Sequence, residues 1–255
     1  MEEERRSGAP VAVVTGGAGG IGAAVSTRLS RDGFTIAVFD IDVKAGEQLV
    51  KELPGPEASS HQCDVSSYEG VTASITEVLD AWGRIDVLVN NAGWDRVQPF
   101  LNNEPELWDR LIGINLLGPI NVCHAALPHM VSRGTGAVVN VASDAGRVGS
   151  SAETVYAACK GGVIAFTKSV AREMASHGIR ANCVCPGPTD TPLLAEIRSD
   201  ETGDRIIDAI TRATPFRRLA TPEDIAGAIA FFASADSSFV TGQVLSVSGG
   251  LTMAG

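Results

Sequence analysis

The chain has little of what membranes, nucleic acids or metals require. Over 255 residues Asp and Glu outnumber Lys and Arg by 30 to 20, a formal net charge of −10 at pH 7. A general nucleic-acid binder needs a basic face, so that class is excluded, and anionic membrane surfaces are disfavoured on the same ground. No run approaches the ~20 consecutive apolar residues of a membrane span. The opening Met-Glu-Glu-Glu-Arg-Arg has no apolar core and does not read as a signal peptide. The expectation is a soluble cytoplasmic protein with no nucleic-acid or membrane partner. The five cysteines (Cys63, Cys123, Cys159, Cys183, Cys185) are odd in number and lack a Cys-x-x-Cys pair. Cys183 and Cys185 fall on one side of a strand, and core packing is the role expected of them and of Cys159. The four histidines are scattered, and His124 and His129 are poorly spaced for one helical face. No catalytic metal is expected.

Linkers, repeats and low-complexity tracts are also missing. Strand-like and helix-like runs alternate from end to end, which suits one α/β domain over 1–255 built on a doubly wound parallel sheet with helices on both faces. The second half continues with a strand at 137–142, a helix over about 152–176, a strand at 180–185, a helix over about 222–234 and a last strand at 244–247. The stretch from 189 to about 213 is the least apolar helix-capable segment and is the expected substrate lid.

What is present is chemically specific. The apolar, β-branched run Val11-Ala12-Val13-Val14 leads into Thr15-Gly16-Gly17-Ala18-Gly19-Gly20-Ile21-Gly22, and a helical pattern follows. Strand, glycine turn, helix is the context a dinucleotide site needs. Glycines permit the tight turn and let a pyrophosphate approach the N–H groups at the helix N-terminus. The next strand, Phe34–Phe39, ends at Asp40. An acid at that distance accepts hydrogen bonds from ribose hydroxyls and repels a 2′-phosphate. Neither Gly17 nor Ile41 offers a cation for such a phosphate, so NAD is expected over NADP. Asp42 is the better candidate for capping the following helix.

Tyr156 and Lys160 lie four apart, on one helical face if the segment is helical. Ser143 closes the apolar run Ala137–Ala142. An ammonium held near a phenol favours phenolate and should bring its pKa from about 10 toward neutral. Phenol, ammonium and hydroxyl together can make a proton-transfer site. Taken singly, the residues have plainer uses: Ser143 could cap the next segment, and Asn115 could bond a helix carbonyl.

With Thr15-Gly-x-x-x-Gly20-x-Gly22, Asn90-Asn91-Ala92-Gly93 after the strand Ile85–Val89, and Tyr156-x-x-x-Lys160, the chain resembles the short-chain dehydrogenase/reductase family over nearly its whole length. The resemblance implies a Rossmann-type fold and catalytic roles for Asn115, Ser143, Tyr156 and Lys160, with Asn115 orienting a water that relays protons to Lys160. It implies cofactor contacts from Gly16, Gly19, Gly20, Ile21, Gly22, Asp40, Asp64, Val65, Asn91, Ala92 and Gly93. Tyr156, Lys160, Pro186, Gly187, Thr189 and Thr191 join them, the last four in the segment that meets the nicotinamide. The same resemblance implies a homotetramer built from helices around 104–131 and 152–176. Those helices carry apolar residues on more than one face, Leu116, Leu117, Ile120, Val122, Val163, Ile164, Phe166 and Val170 among them.

The stretches around Trp94-Asp95, Ser143–Ser151, Pro186–Thr191 and Thr241–Met253 look like the branch that oxidises the ring hydroxyl of 2-hydroxycyclohexanecarboxyl-CoA with NAD. That likeness implies a CoA thioester as substrate partner, with Trp94, Ser143, Asp144 and Arg147 at the substrate. Arg147, Arg217 and Arg218 are candidates for meeting an anionic substrate, and Arg205, Arg212, Arg217 and Arg218 could supply the cations that CoA phosphates need. The alternatives are a 3-oxoacyl-thioester reductase of the acyl-carrier-protein type, a sugar, polyol or steroid dehydrogenase, and a non-catalytic NAD-sensing protein on the same fold. The last could dispense with Tyr156 or Lys160, and both are present.

Overall fold

The computed structural model describes residues 8–197 and 201–254. The charged N-terminal segment and residues 198–200 of the expected lid lie outside the described residues. Seven strands form one parallel sheet: β1 (Val11–Thr15), β2 (Thr35–Asp40), β3 (Ala58–Gln62), β4 (Val87–Asn90), β5 (Gly136–Val141), β6 (Ile179–Pro186) and β7 (Val244–Val247). Their order is β3-β2-β1-β4-β5-β6-β7. The chain winds outward from β1 to β3 and then returns to lay β4 on the other side of β1. Val14 is paired with Val38 on one side and Val89 on the other. The order reverses between β1 and β4, and ligands of such sheets bind at that switch, beyond the carboxyl ends of the strands.

Alternation along the strands divides the core into two layers. Val11, Val13, Ala37, Phe39 and Leu88 face one layer with Val71, Ile75, Val78, Val122, Met130 and Val170. Ala12, Val14, Ile36, Val38 and Val89 face the other with Val25, Leu29, Ile225 and Ile229. Strands buried on both faces must be apolar throughout, which is why these runs were legible.

The first layer is covered by α3 (Tyr68–Trp82), α5 (Gly118–Arg133) and α7 (Thr154–Met174), and the second by α1 (Gly20–Arg31), α2 (Val43–Glu52) and α10 (Pro222–Ala233). Asp42 caps α2 by accepting from Ala45 N at 3.0 Å, as expected. Such a cap is worth about 1 kcal/mol. Thr221 and Asp224 form a capping box on α10. By contrast α1 begins at Gly19 with no side-chain cap and no acid in its first turn.

The region expected as one helix over 104–131 is α4 (Pro105–Ile112), a π-helical turn over Gly113–Leu117, and α5. A π turn inserts one residue into the helical ladder and re-aims a side chain, here that of Asn115. By length and composition the stretch Pro105–Arg133 is apolar enough to cross a membrane, contrary to the reading from single runs. Its Val122, Cys123, Ala126 and Met130 are buried in the sheet's core instead. Val163 and Val170 are likewise buried, so they and Val122 belong to the core and not to spare surface. Ile112 and Leu117 are exposed.

A short α6 (Ala145–Val148) follows β5, and α8 (Pro192–Ile197) and α9 (Glu201–Ala213) occupy the expected lid region. Thr189 forms a bridge to Ala220, which fastens the start of that region to the segment before α10.

Candidate active site

The glycine turn and the Asn91–Gly93 segment are fastened together at the switch point. Thr15 Oγ1 accepts from both Asn91 N and Ala92 N at 3.0 Å. Asn91 Nδ2 donates to the carbonyls of Thr15 and Gly16 at 3.1 Å. Gly16 has φ 58°, and a Cβ there would lie 2.8 Å from Ala92 Cα. A Cβ on Gly22 would fall 1.9 Å from the Gly16 carbonyl oxygen. A Cβ on Gly19 would meet no atom of the described residues beyond its own neighbours within 4 Å. Asp40, at the end of β2, accepts from Ala18 N at 2.9 Å and Asp42 N at 3.0 Å. Asp64 binds the Ser66 amide and hydroxyl, and Val65 is buried with its carbonyl held by Asn121.

Thr191 lies across from this turn: its Cγ2 would be 3.5 Å from a Cβ on Gly20. Gly187 N donates to Val247 O, and Asp144 N donates to Pro186 O, so the segment 186–191 is tied to β7 and to the end of β5. Thr189 Oγ1 donates to Gly187 O at 2.9 Å. These residues fit a dinucleotide. Uncapped amides at the head of α1 suit a pyrophosphate. The carboxylate of Asp40 has lone pairs to spare for ribose hydroxyls.

Beyond the cofactor groove, Ser143, Tyr156, Lys160 and Asn115 converge. The Ser143 hydroxyl is set against the Tyr156 phenol and favours its ionised form. Ser143 Oγ accepts from Ala145 N at 3.1 Å. Lys160 is buried, donates from Nζ to Val141 O at 3.1 Å, and lies 5.5 Å from the centre of the Tyr156 ring. Helix α6 sits close on α7: a Cβ on Gly146 would come within 2.6 Å of the Lys160 carbonyl carbon. Asn115, fully buried, donates from Nδ2 to Trp94 O at 2.7 Å and Leu111 O at 3.0 Å, and its Oδ1 accepts from Trp94 N. It therefore bonds a helix carbonyl and a loop at once, holding the residues after Gly93 in place.

The electrostatics depart from the expected phenolate. Burial pushes the Tyr156 phenol above its ordinary value, and the carboxyls of Asp95 and Glu153 push the same way, against the Ser143 hydroxyl. Burial also pulls Lys160 down to about 8. Lys160 spends its hydrogen bond on Val141, and burial together with the two carboxyls favours the protonated phenol. A nearby positive charge is what would release the proton.

Two carboxyl groups to which the sequence patterns assign no role, Asp95 and Glu153, are set against Tyr156. Asp95 is pushed up to about 7 by burial and by Glu153. The available signal was helical: Glu153 is three residues before Tyr156 and shares its face. Trp94 is half-buried, with the Arg110 guanidinium 3.8 Å from its ring centre, a cation–π contact. Asp144 and Arg147 both bind Ser246 on β7, and Arg147 also binds the Ala254 carbonyl. The structure thus puts both against the C-terminal strand. Of the other arginines, Arg218 is paired with Asp224, and Arg217 donates to the Arg212 carbonyl. Among the described residues no group of three His, Cys, Asp or Glu side chains could hold a metal.

Fold, glycine turn and convergent side chains define a nucleotide-dependent oxidoreductase of the Rossmann type. A family model described as enoyl-(acyl carrier protein) reductase matches residues 16–252. The chain is 37% identical over 246 residues to the 3-oxoacyl-(acyl-carrier-protein) reductase of Thermotoga maritima, covering 95% of this chain and 98% of the relative. It is 37% identical over 261 residues to the (3R)-3-hydroxyacyl-CoA dehydrogenase of Homo sapiens, covering 98% of each. The chain belongs to the short-chain dehydrogenase/reductase family and is an oxidoreductase acting on a hydroxyl or keto group with a nicotinamide cofactor.

Proposed function

We propose that this enzyme oxidises a secondary alcohol β to a CoA thioester, with NAD, and that its substrate is an alicyclic hydroxyacyl-CoA of the 2-hydroxycyclohexanecarboxyl-CoA kind. The observation that carries the chemistry is the convergence of Ser143 on the Tyr156 phenol with Lys160 one turn further along α7, its Nζ 5.5 Å from the phenol ring centre. When bound, the nicotinamide supplies the acceptor for the hydride on the carbinol carbon. Tyr156 takes the hydroxyl proton as the carbonyl forms, and returns it in reduction. Ser143 holds the substrate oxygen. Lys160 binds the cofactor ribose and passes the proton onward through the water that Asn115 orients. The balance is alcohol plus oxidised cofactor to ketone, reduced cofactor and one proton.

Asp40 supports NAD, because its carboxylate at the head of the groove repels a 2′-phosphate. Thioester chemistry is supported by the names of the relatives, which act on acyl-carrier-protein or CoA derivatives. The ring specificity rests on the stretches around Trp94, Ser143 and Thr189. The 189–213 segment serves as the lid over the substrate. The exposed Ile112 and Leu117 on the α4–α5 unit suit subunit contacts in a tetramer.

A second reading, 3-oxoacyl-(acyl-carrier-protein) reduction, is favoured by the Thermotoga maritima relative. Initial rates of NADH formation with β-hydroxyacyl-CoAs, their free acids and polyols separate the readings. A ring β-hydroxyacyl-CoA should give the highest kcat/KM. A higher kcat/KM for a free acid or sugar would remove the thioester assignment, and a strong preference for NADPH-driven reduction of an acyl-carrier-protein ester would favour the second reading.

A further inference from the structure

Asp95 and Glu153 come from distant parts of the chain and meet over Tyr156. The loop carrying Asp95 is fastened to the start of α7 by Gln98 N donating to Ala152 O at 2.8 Å. From the other side it is fastened by Asn115, which grips both backbone atoms of Trp94. Glu153 stands immediately before α7, and its backbone carbonyl accepts from Ala157 N. One of its carboxylate oxygens is held by the Ser150 hydroxyl. Asp95 Oδ1 is buried and has no hydrogen-bond partner among the described residues. The side chain it meets is the Glu153 carboxyl.

Asp95 and Glu153 are both half-buried, and two like charges set against each other in such a place favour a proton on one of them. We propose that Asp95, set against Glu153, makes a carboxyl pair that holds one proton and sets the charge against the Tyr156 phenol, tuning when that phenol can act as base or acid. The inference rests on Tyr156 being the proton-transferring group. Among the described residues, the other charged or titratable groups set against the pair and the phenol are Lys160 and Cys159 on α7 and Cys185 on β6, with the Arg96 amide on the loop itself. Arg110 is engaged on the ring of Trp94, next to Asp95. Lys160 is the cation among them that opposes the pair.

The sign follows from charge alone. With one proton between them the carboxyls carry one negative charge, and at higher pH they carry two. Each added charge holds the phenol protonated more firmly. Removing one carboxylate therefore lets phenolate form at lower pH. It moves the rising limb of alcohol oxidation, and the falling limb of ketone reduction, in the same direction. For charges several ångströms apart in a protein environment the movement is on the order of one pH unit.

The chain has only two tyrosines, so Tyr68→Phe leaves Tyr156 as the sole phenol. In that background, with NAD saturating, tyrosinate absorbance is titrated in the parent, in Asp95→Asn and in Glu153→Gln. The expected result is an onset of phenolate at lower pH in both variants, by roughly half a unit or more. The rising limb of kcat/KM for whichever secondary alcohol the enzyme turns over should move with it. Both isosteric variants keep the shape of the pair, so either one that folds suffices. An unmoved titration together with an unmoved limb would overturn the pair's role. Activity lost without any shift would make the two residues structural. Neither outcome depends on the substrate being a thioester, and loss of Tyr156's own role would show separately as turnover surviving Tyr156→Phe.

Discussion

Gly93 lies between Asn115 and Lys160: a Cβ on it would sit 3.2 Å from Asn115 Oδ1 and 3.4 Å from Lys160 Nζ. Those atoms are the flexible ends of side chains, so Gly93→Ala should fold. It should displace the lysine ammonium or the Asn115 amide by a few tenths of an ångström, and small displacements of this kind cost about tenfold or more in turnover. Gly22→Ala is the contrasting case. Its Cβ would be 1.9 Å from backbone oxygen at Gly16, which cannot yield without opening the turn. Thermal melts and cofactor titrations distinguish the two. Gly93→Ala should melt near the parent with reduced kcat, and Gly22→Ala should lose both stability and cofactor affinity. A fully active Gly93→Ala would contradict the placing of that gap in the catalytic machinery.

Asp40→Ala should narrow the preference for NAD over NADP. The carboxylate that would face the 2′-phosphate disappears, and no cation replaces it. The parent should bind NAD much more tightly than NADP in parallel fluorescence titrations. Some loss of NAD affinity is expected as well, because Asp40 also steadies the glycine turn through Ala18 N. Equal affinities in the parent would sink the assignment of NAD.

The raised carboxyl of Asp95 carries a stability consequence. Its value is about 7 in the folded protein, against ~3.9 in an unfolded chain. A raised acid favours the folded state when protonated. Its contribution is fully present below about pH 4 and is lost as pH rises through about 7. Asp95→Asn removes that loss. At about pH 8 the cofactor-free variant should melt above the parent by about 2–4 °C, the equivalent of about 1 kcal/mol. Near pH 4 the difference should vanish. Calorimetry across that range checks it, and a difference independent of pH would contradict the half-buried, carboxyl-facing setting of Asp95.

Much of this was legible from the sequence because the central strands are buried on both faces and therefore read as unbroken apolar runs. The glycine turn, Asp40, and the Tyr156–Lys160 spacing followed from local geometry. The edge strand β3, Ala-Ser-Ser-His-Gln, is half-buried and polar, so it has no such signature. The π turn at Gly113–Leu117 escaped because one inserted residue does not disturb an apolar pattern enough to be read. The ionisation of Tyr156 was misjudged for a different reason. A lysine one turn away suggests phenolate, but burial and two carboxyls oppose it, and one of those carboxyls arrives from a loop far off in sequence. Contacts of that kind exist only once the loop after Gly93 is laid against α7.

The account turns on Tyr156 as the group that moves the proton. Tyr156→Phe keeps the ring and deletes one hydroxyl, so the residues proposed to hold the nicotinamide cofactor, the glycine turn, Asp40 and Lys160, are untouched. Lys160→Ala should by comparison weaken cofactor binding and rate together. The decisive measurement is kcat for NADH formation by Tyr156→Phe alongside its NAD affinity. The expected result is affinity close to the parent with turnover lost. Retention of a large fraction of the parent's kcat would contradict the account and put the proton acceptor elsewhere in the site.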